Sequence, residues 1–328
     1  MDFPAAAAKE YRELIDSLSA VTENPNLFES GICAGSREVS VFSTQPEYVS
    51  EFTNYLRQPA ANPKNPHLKI YLIPREEIPD KSKLMAIKYG HFQNSEISFL
   101  HNTQNGSIEI FDKENRKIFL IAPALRQLSD SIAAFNLYHL KQILNSLNFV
   151  NMHGAVVGRN DNGVFLANKG GSGKSSLMAY CVSKGMQTLG DDFLTVDRDQ
   201  VATFYSLYRH FKLSDTSPSL QFARDKFREI GRYDQKQVFE ISPDVSEIFR
   251  PQMQVKEVLI PFIGKEIRLH EISKEEAFKK LVVSTLFLNS ATLTTIKTLR
   301  KLLEEIPVFQ LELTPNLHEA FTLIESRL

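Results

Sequence analysis

The segment Lys169-Gly170-Gly171-Ser172-Gly173-Lys174-Ser175-Ser176 constrains this chain more than any other. Its glycines let the backbone curl so that several N–H groups face one anion. The residues before it, Gly163 to Asn168 (GVFLAN), are apolar without a helical period and predict a buried strand. Those after it, Ser175 to Lys184, predict a helix, with Gly185 where a C-terminal cap belongs. Strand, glycine-rich turn, Gly-Lys-Ser and helix form the context in which such a loop holds phosphate. In that reading Lys174 reaches the β- and γ-phosphates, and the Ser175 hydroxyl goes to Mg2+. The candidate nucleotide-binding residues are Lys169, Gly170, Gly171, Ser172, Gly173, Lys174, Ser175 and Ser176. Asn168 stands where the usual pattern has a glycine, and Asn tolerates left-handed φ better than most residues.

The flanks sharpen this reading. Asp191-Asp192 follows a short apolar segment, Met186 to Leu189, and carboxylates at a strand end beside a phosphate loop serve magnesium or a nucleophile. Upstream, His153 to Gly158 predicts a second strand, and Arg159 to Gly163 is rich in turn formers. The strand entering the loop is therefore expected in a β-hairpin rather than at the end of a parallel crossover.

The combination of His153-Gly154, a hairpin, Gly170 to Ser175, a helix ending near Gly185, and Asp191-Asp192 resembles the catalytic domain of HPr kinase/phosphorylase. That family shares its fold with phosphoenolpyruvate carboxykinase. His153 lies 21 residues before Lys174 and Asp192 lies 18 after it, as in the family. The resemblance covers about 45 residues. It implies an ATP-dependent kinase with a P-loop in a mixed, partly antiparallel α/β sheet. It also implies Asp192 as general base, His153 as an active-site partner, and Ser175 with Asp191 toward Mg2+. Ser176 stands where the bifunctional enzymes carry an acidic residue, a departure from their pattern that leaves an HPr kinase-related kinase. The acceptor is an alcohol: a serine of a protein or peptide, or a small molecule. The alternative is a nucleotide-hydrolysing switch protein, which has no need of a base poised for an acceptor. A carboxykinase is the poorer third choice.

At 328 residues the chain has room for two domains, expected as an N-terminal α+β region over 1–122 and a catalytic domain over 123–328. A net charge of -1 carries no electrostatic footprint of a nucleic-acid or membrane-surface partner. Two cysteines give no disulfide framework, no apolar run is long enough to span a bilayer, and no signal peptide is apparent, so a cytoplasmic protein is expected. The family also implies a possible homo-oligomer.

Elsewhere the chain reads as scaffold. A helix is expected over 4–20, with Tyr11, Leu14, Ile15 and Leu18 on one apolar face, and another over 47–56. Residues 22–46 read as irregular and 59–66 as a loop. Strands are expected over 68–73, 84–89, 96–101, 107–111 and 117–121, as an antiparallel sheet. Residues 124–148 predict a long helix. Past the Asp pair, 193–196 and 201–205 predict a hairpin. Strands over 255–262 and 267–272, a capping box at Ser273 and Glu276, two helices to 305, an edge strand over 308–313 and a final helix follow. The scattered His67, His91, His101 and His139 read as structural. The segment 206–250 is rich in cations and is the candidate for substrate recognition, with Arg209, Arg228, Arg232 and Arg250 foremost.

Overall fold

The computed structural model describes all residues except 1–4, 56–58, 61–62, 79–90, 102–105, 123–143, 145, 209, 234, 242–246 and 289–292. The protein is a mixed α/β chain that divides into two compact units, Met1–Leu147 and Asn148–Leu328. The strand expected over 84–89 and most of the helix expected over 124–148 lie outside the described residues.

The first unit opens with α1 (Ala5–Thr22). Tyr11, Leu14, Ile15 and Leu18 form its buried face against Ile73, Phe99, Ile110 and Phe119 of a sheet. Strands β1 (Phe28–Ala34), β2 (Arg37–Ser43), β3 (Pro59–Ala60), β4 (Leu68–Pro74), β5 (His91–Gln93), β6 (Ile97–His101), β7 (Ile108–Asp112) and β8 (Lys117–Ala122) pair in the order β3-β1-β2-β4-β8-β7-β6-β5. The structure corrects two expectations. Residues 22–46 are not irregular: β1 and β2 make a hairpin whose turn uses Gly35 at φ +63°. Its charged outer residues mask the alternation of Ile32, Ala34, Val39 and Val41 toward the core. The sheet is also mixed rather than antiparallel, because β4 runs parallel to both β2 and β8. Helix α2 (Pro46–Tyr55) lies in the β2–β4 connection, and a parallel pair needs such a crossover.

The second unit is built on β9 (Phe149–Met152), β10 (Ala155–Arg159), β11 (Asn162–Leu166), β12 (Gln187–Gly190), β13 (Leu194–Asp197) and β14 (Thr203–Ser206). The long β18 (Gln252–Ile263), β19 (Arg268–Glu271) and β20 (Val308–Leu313) complete the sheet. β10 and β11 form the expected hairpin, and β11 then runs parallel to β18. Alternate residues of these strands feed two cores. Val157, Val164, Leu166 and Leu259 pack with Leu177, Met178 and Cys181 of α3 (Lys174–Ser183). Val156, Phe165, Val258 and Ile260 pack with Leu281 of α5 (Lys274–Leu288) and Leu299 and Leu302 of α6 (Leu293–Glu305). A sheet covered on both faces needs apolar residues at every position, which is why GVFLAN carries no alternation.

A separate sheet orders β15 (His210–Ser214), β17 (Lys236–Glu240) and β16 (Arg228–Tyr233), with α4 (Leu220–Lys226) between β15 and β16 in sequence. Phe211, Leu213 and Phe239 join its inner face to the α3 core. The capping box forms, with the Glu276 N–H donating to Ser273 Oγ at 3.2 Å. Strand β20 is not an edge: it lies between β18, parallel, and β19, antiparallel. Its alternation has another cause. Glu312 turns outward to accept the Lys265 N–H and meet His270, while Leu311 and Leu313 go to the core. The final helix is α7 (Leu317–Glu325).

Leu259 is fully buried on the central strand, whereas Leu293 is 67% exposed at the start of α6. Leu259→Ala is expected to lower the stability of the second unit by about 2–5 kcal/mol in denaturant unfolding, and Leu293→Ala by less than about 0.5 kcal/mol.

Candidate functional site

The glycine-rich loop joins β11 to α3. Gly171 sits at φ +78° and Gly173, the N-cap of α3, at φ +92°. A Cβ at Gly173 would also press on Leu313 Cδ1 at 3.0 Å. Around Gly170 and Gly171 the space is open, so the backbone there is free to approach a ligand. The loop is anchored at its base. The Ala167 N–H donates to Leu259 O at 2.9 Å, Asn168 Nδ2 donates to Pro261 O at 2.7 Å, and Asn168 Oδ1 accepts the Lys169 N–H at 2.8 Å. Asn168 thus ties the loop to β18 with an amide that glycine lacks.

Lys174 is buried, and its ammonium donates to the carbonyls of Asn168 at 2.6 Å and Lys169 at 3.0 Å. Burial pulls its pKa down, and the neighbouring Asp191 and Asp192 offset part of that. Ser172 is buried, and its hydroxyl has no partner among the described residues. Ser176 bonds Ser217 hydroxyl to hydroxyl at 2.8 Å, and its carbonyl accepts from Ser219 Oγ at 2.8 Å. Lys169 is exposed and contributes its backbone.

Strand β12 delivers the two aspartates. The Phe193 N–H closes on Asp191 O at 2.8 Å around Asp192, which sits at φ +68°. An i to i+2 turn at positive φ is rare and costs on the order of 1–3 kcal/mol. It sends the consecutive carboxylates to different surroundings. Asp191 is 1% exposed, and among the described residues neither of its oxygens meets a donor in good geometry, although the Ser175 hydroxyl lies close. Burial pushes its pKa up to about 6, with the Asp192 charge adding to the rise and the nearby Ser175 hydroxyl and Lys174 opposing it. Asp192 faces the cavity and pairs with Lys212 of β15, Nζ to Oδ2 at 2.9 Å. Burial alone would raise the Asp192 pKa, but the charge and hydrogen bond of Lys212, with the Lys236 charge farther off, hold it below the usual range.

His153, between β9 and β10, lines the same cavity. Burial, then Lys174, brings its pKa down to about 4, so the ring is neutral at pH 7. It acts there as a hydrogen-bonding group rather than as a cation. The cavity holds about 290 Å³. Its lining joins His153, Gly170 to Ser176 and Asp192 to Lys212, Lys236 and the Ser214–Pro218 turn. Among the described residues no cluster of three or more His, Cys, Asp or Glu side chains forms a metal cage.

The sequence-predicted residues therefore converge, apart from the Lys169 side chain outside the cavity and Asp191 buried behind it. The arginines proposed for recognition do not. Arg228 pairs with Glu240, Arg232 with Asp215 and Arg250 with Asp161, and none of the three lines the cavity. Arg209 lies outside the described residues. The cations that do reach it, Lys212 and Lys236, come from the same segment. For Lys212 the signal is the alternation His210-Phe211-Lys212-Leu213-Ser214, which puts the apolar pair on the core and the polar residues on the other face; Lys236 is brought there only by the strand pairing.

No protein-family model matches the chain. No curated protein matches it either. No helix among the described residues is long and apolar enough to cross a membrane.

His210 stands beside this network, 3% exposed, its ring 5.1 Å from that of Tyr208. Burial and then Lys212 lower its pKa to about 4. Its folded pKa is below the unfolded one, so its contribution to stability is complete above pH about 6.5 and is lost as the pH falls toward 4. Between pH 7.5 and 4.5 the wild type is expected to lose about 2–3 kcal/mol more than His210→Phe in parallel urea titrations.

Proposed function

We propose that this chain is an ATP-dependent kinase that transfers the γ-phosphoryl group to an alcohol, as the resemblance to HPr kinase-related enzymes implies. The observation that carries the reading is convergence on one cavity. An open glycine loop at a helix N-terminus, a buried lysine and a carboxylate held ionised by Lys212 all meet there. Phosphate is the anion such a loop suits.

The residues also fit a magnesium ion accompanying the nucleotide. Asp191 offers two buried oxygens that meet no well-aligned donor among the described residues, and the Ser175 hydroxyl lies beside them. Ser175 and Asp191 would hold Mg2+, which would neutralise charge on the phosphate oxygens.

The loop N–H groups and Lys174 grip the triphosphate, and Lys174 gives up its two backbone carbonyls to do so. Asp192 orients the acceptor hydroxyl and takes its proton as the acceptor oxygen bonds to Pγ. The bond from Pγ to the bridging oxygen breaks, and the nucleoside diphosphate leaves with that electron pair. His153, neutral, positions Asp192 or a γ-phosphate oxygen without adding charge. Positioning and charge neutralisation supply most of the rate in such transfers. The acceptor is a serine of a protein or peptide, or a small-molecule alcohol.

The test is label transfer from γ-labelled ATP to free serine and to small-protein extracts. Asp192→Asn is expected to cut acceptor labelling by roughly 10²–10⁴-fold while nucleotide binding is retained. Lys174→Met is expected to lose nucleotide binding. Slow hydrolysis that Asp192→Asn leaves unchanged, with no acceptor labelled, would replace the kinase by a nucleotide-hydrolysing switch.

A further inference from the structure

Three lysine ammoniums reach the one cavity, and their charges are not equally committed. Lys174 donates to two carbonyls of the loop. Lys212 pairs with Asp192 at 2.9 Å and lies 5.7 Å from the centre of the Phe193 ring. Lys236, half-buried, has no carboxylate within ion-pairing distance among the described residues, although its charge reaches Asp192 from farther off.

The register of the small sheet shows that this placement is built. Ser214 stands opposite Lys236, and Lys212 opposite Val238. Directly opposed residues of an antiparallel pair share a face, so Lys212, Ser214 and Lys236 lie on one side of the β15–β17 ladder. The other side, with Phe211, Leu213 and Phe239, is locked into the core beneath α3. The two lysines are diagonal neighbours, roughly 7–8 Å apart along the backbone. Like charges at that spacing, with a third nearby, repel unless an anion comes between them.

Charge bookkeeping identifies the anion. The Asp192–Lys212 pair is neutral, and Lys174 belongs to the glycine loop. A magnesium-bound nucleoside triphosphate brings about two negative charges net, one more than the corresponding diphosphate. The added charge is on the γ-phosphate, the group that must meet Asp192. Lys236 is the cation left to receive it.

We propose that Lys236 is the γ-phosphate cation of this site: its ammonium contacts the oxygens of the transferring phosphoryl group, and Lys212 stays with Asp192. The inference rests on the kinase reading and adds to it a catalytic residue from the small sheet. As the acceptor oxygen bonds to Pγ and the bridging oxygen departs with the diphosphate, Lys236 holds the charge on the three non-bridging oxygens. It takes no proton.

The experiment compares affinities for MgADP and for the magnesium complex of a β,γ-imido ATP analogue, by calorimetry, in wild type, Lys236→Met and Lys236→Arg. The wild type is expected to prefer the triphosphate by about tenfold, the size of one charged hydrogen-bonded contact. Lys236→Met should erase that preference while its MgADP affinity stays within about twofold, and Lys236→Arg should restore much of it. A Met variant that keeps the preference, or that loses both nucleotides equally, overturns the proposal, since a structural role weakens both. A wild type that binds neither nucleotide removes the phosphate-loop reading, and this inference with it. The first two outcomes leave that reading in place.

Discussion

The Asp192–Lys212 ion pair is the interaction on which the site depends. Both partners are largely buried, and burying two charges costs several kcal/mol per ion unless their geometry is good. Here the pair is direct, at 2.9 Å, and the same carboxylate is held in a strained turn at positive φ. The pair therefore fixes two things together: the direction in which Asp192 points, and the seating of the small β15–β17–β16 sheet beside the glycine loop. Removing one partner leaves the other uncompensated beside His153, which burial and the lysines already keep neutral.

The rest of the second unit makes that arrangement rigid. A sheet covered on both faces carries the loop, the aspartates and the strand beneath them, and α3 packs against it through Leu177, Met178 and Cys181. Carboxylates and ammoniums are gathered at one end of this apolar frame, where the local dielectric is low and each charge acts strongly on the next. Asp191 is the extreme case. It is fully enclosed, raised to about 6, and among the described residues its oxygens meet no well-aligned donor, a state that a cation would relieve. Burying it costs stability, and local rules of this kind are most often broken at functional sites.

Much of this is legible in the residues themselves. Glycines, lysine and serine at fixed offsets mark the loop, and unbroken apolar character marks β11, because both follow from local backbone requirements. The hairpin, α3 and the Asp pair fall within a residue or two of their expected places. What is not legible depends on partners distant in sequence. The cation-rich stretch over 206–250 points first to arginines, yet these neutralise surface carboxylates, while Lys236 is selected by a strand register that no local pattern prints, beside Lys212, which an alternation does mark. Parallel pairing of β4 with β2 and β8 is hidden for the same reason, and β20 reads as an edge because one outward glutamate interrupts its apolar run.

The central claim is that the loop from Gly170 to Ser176 is a phosphate site. The most direct test is amide hydrogen exchange with and without saturating MgATP. The account predicts slowed exchange concentrated at 170–176, with a second protected segment at 190–193. Unchanged exchange across the loop, or protection confined to other segments while nucleotide is bound, would contradict it.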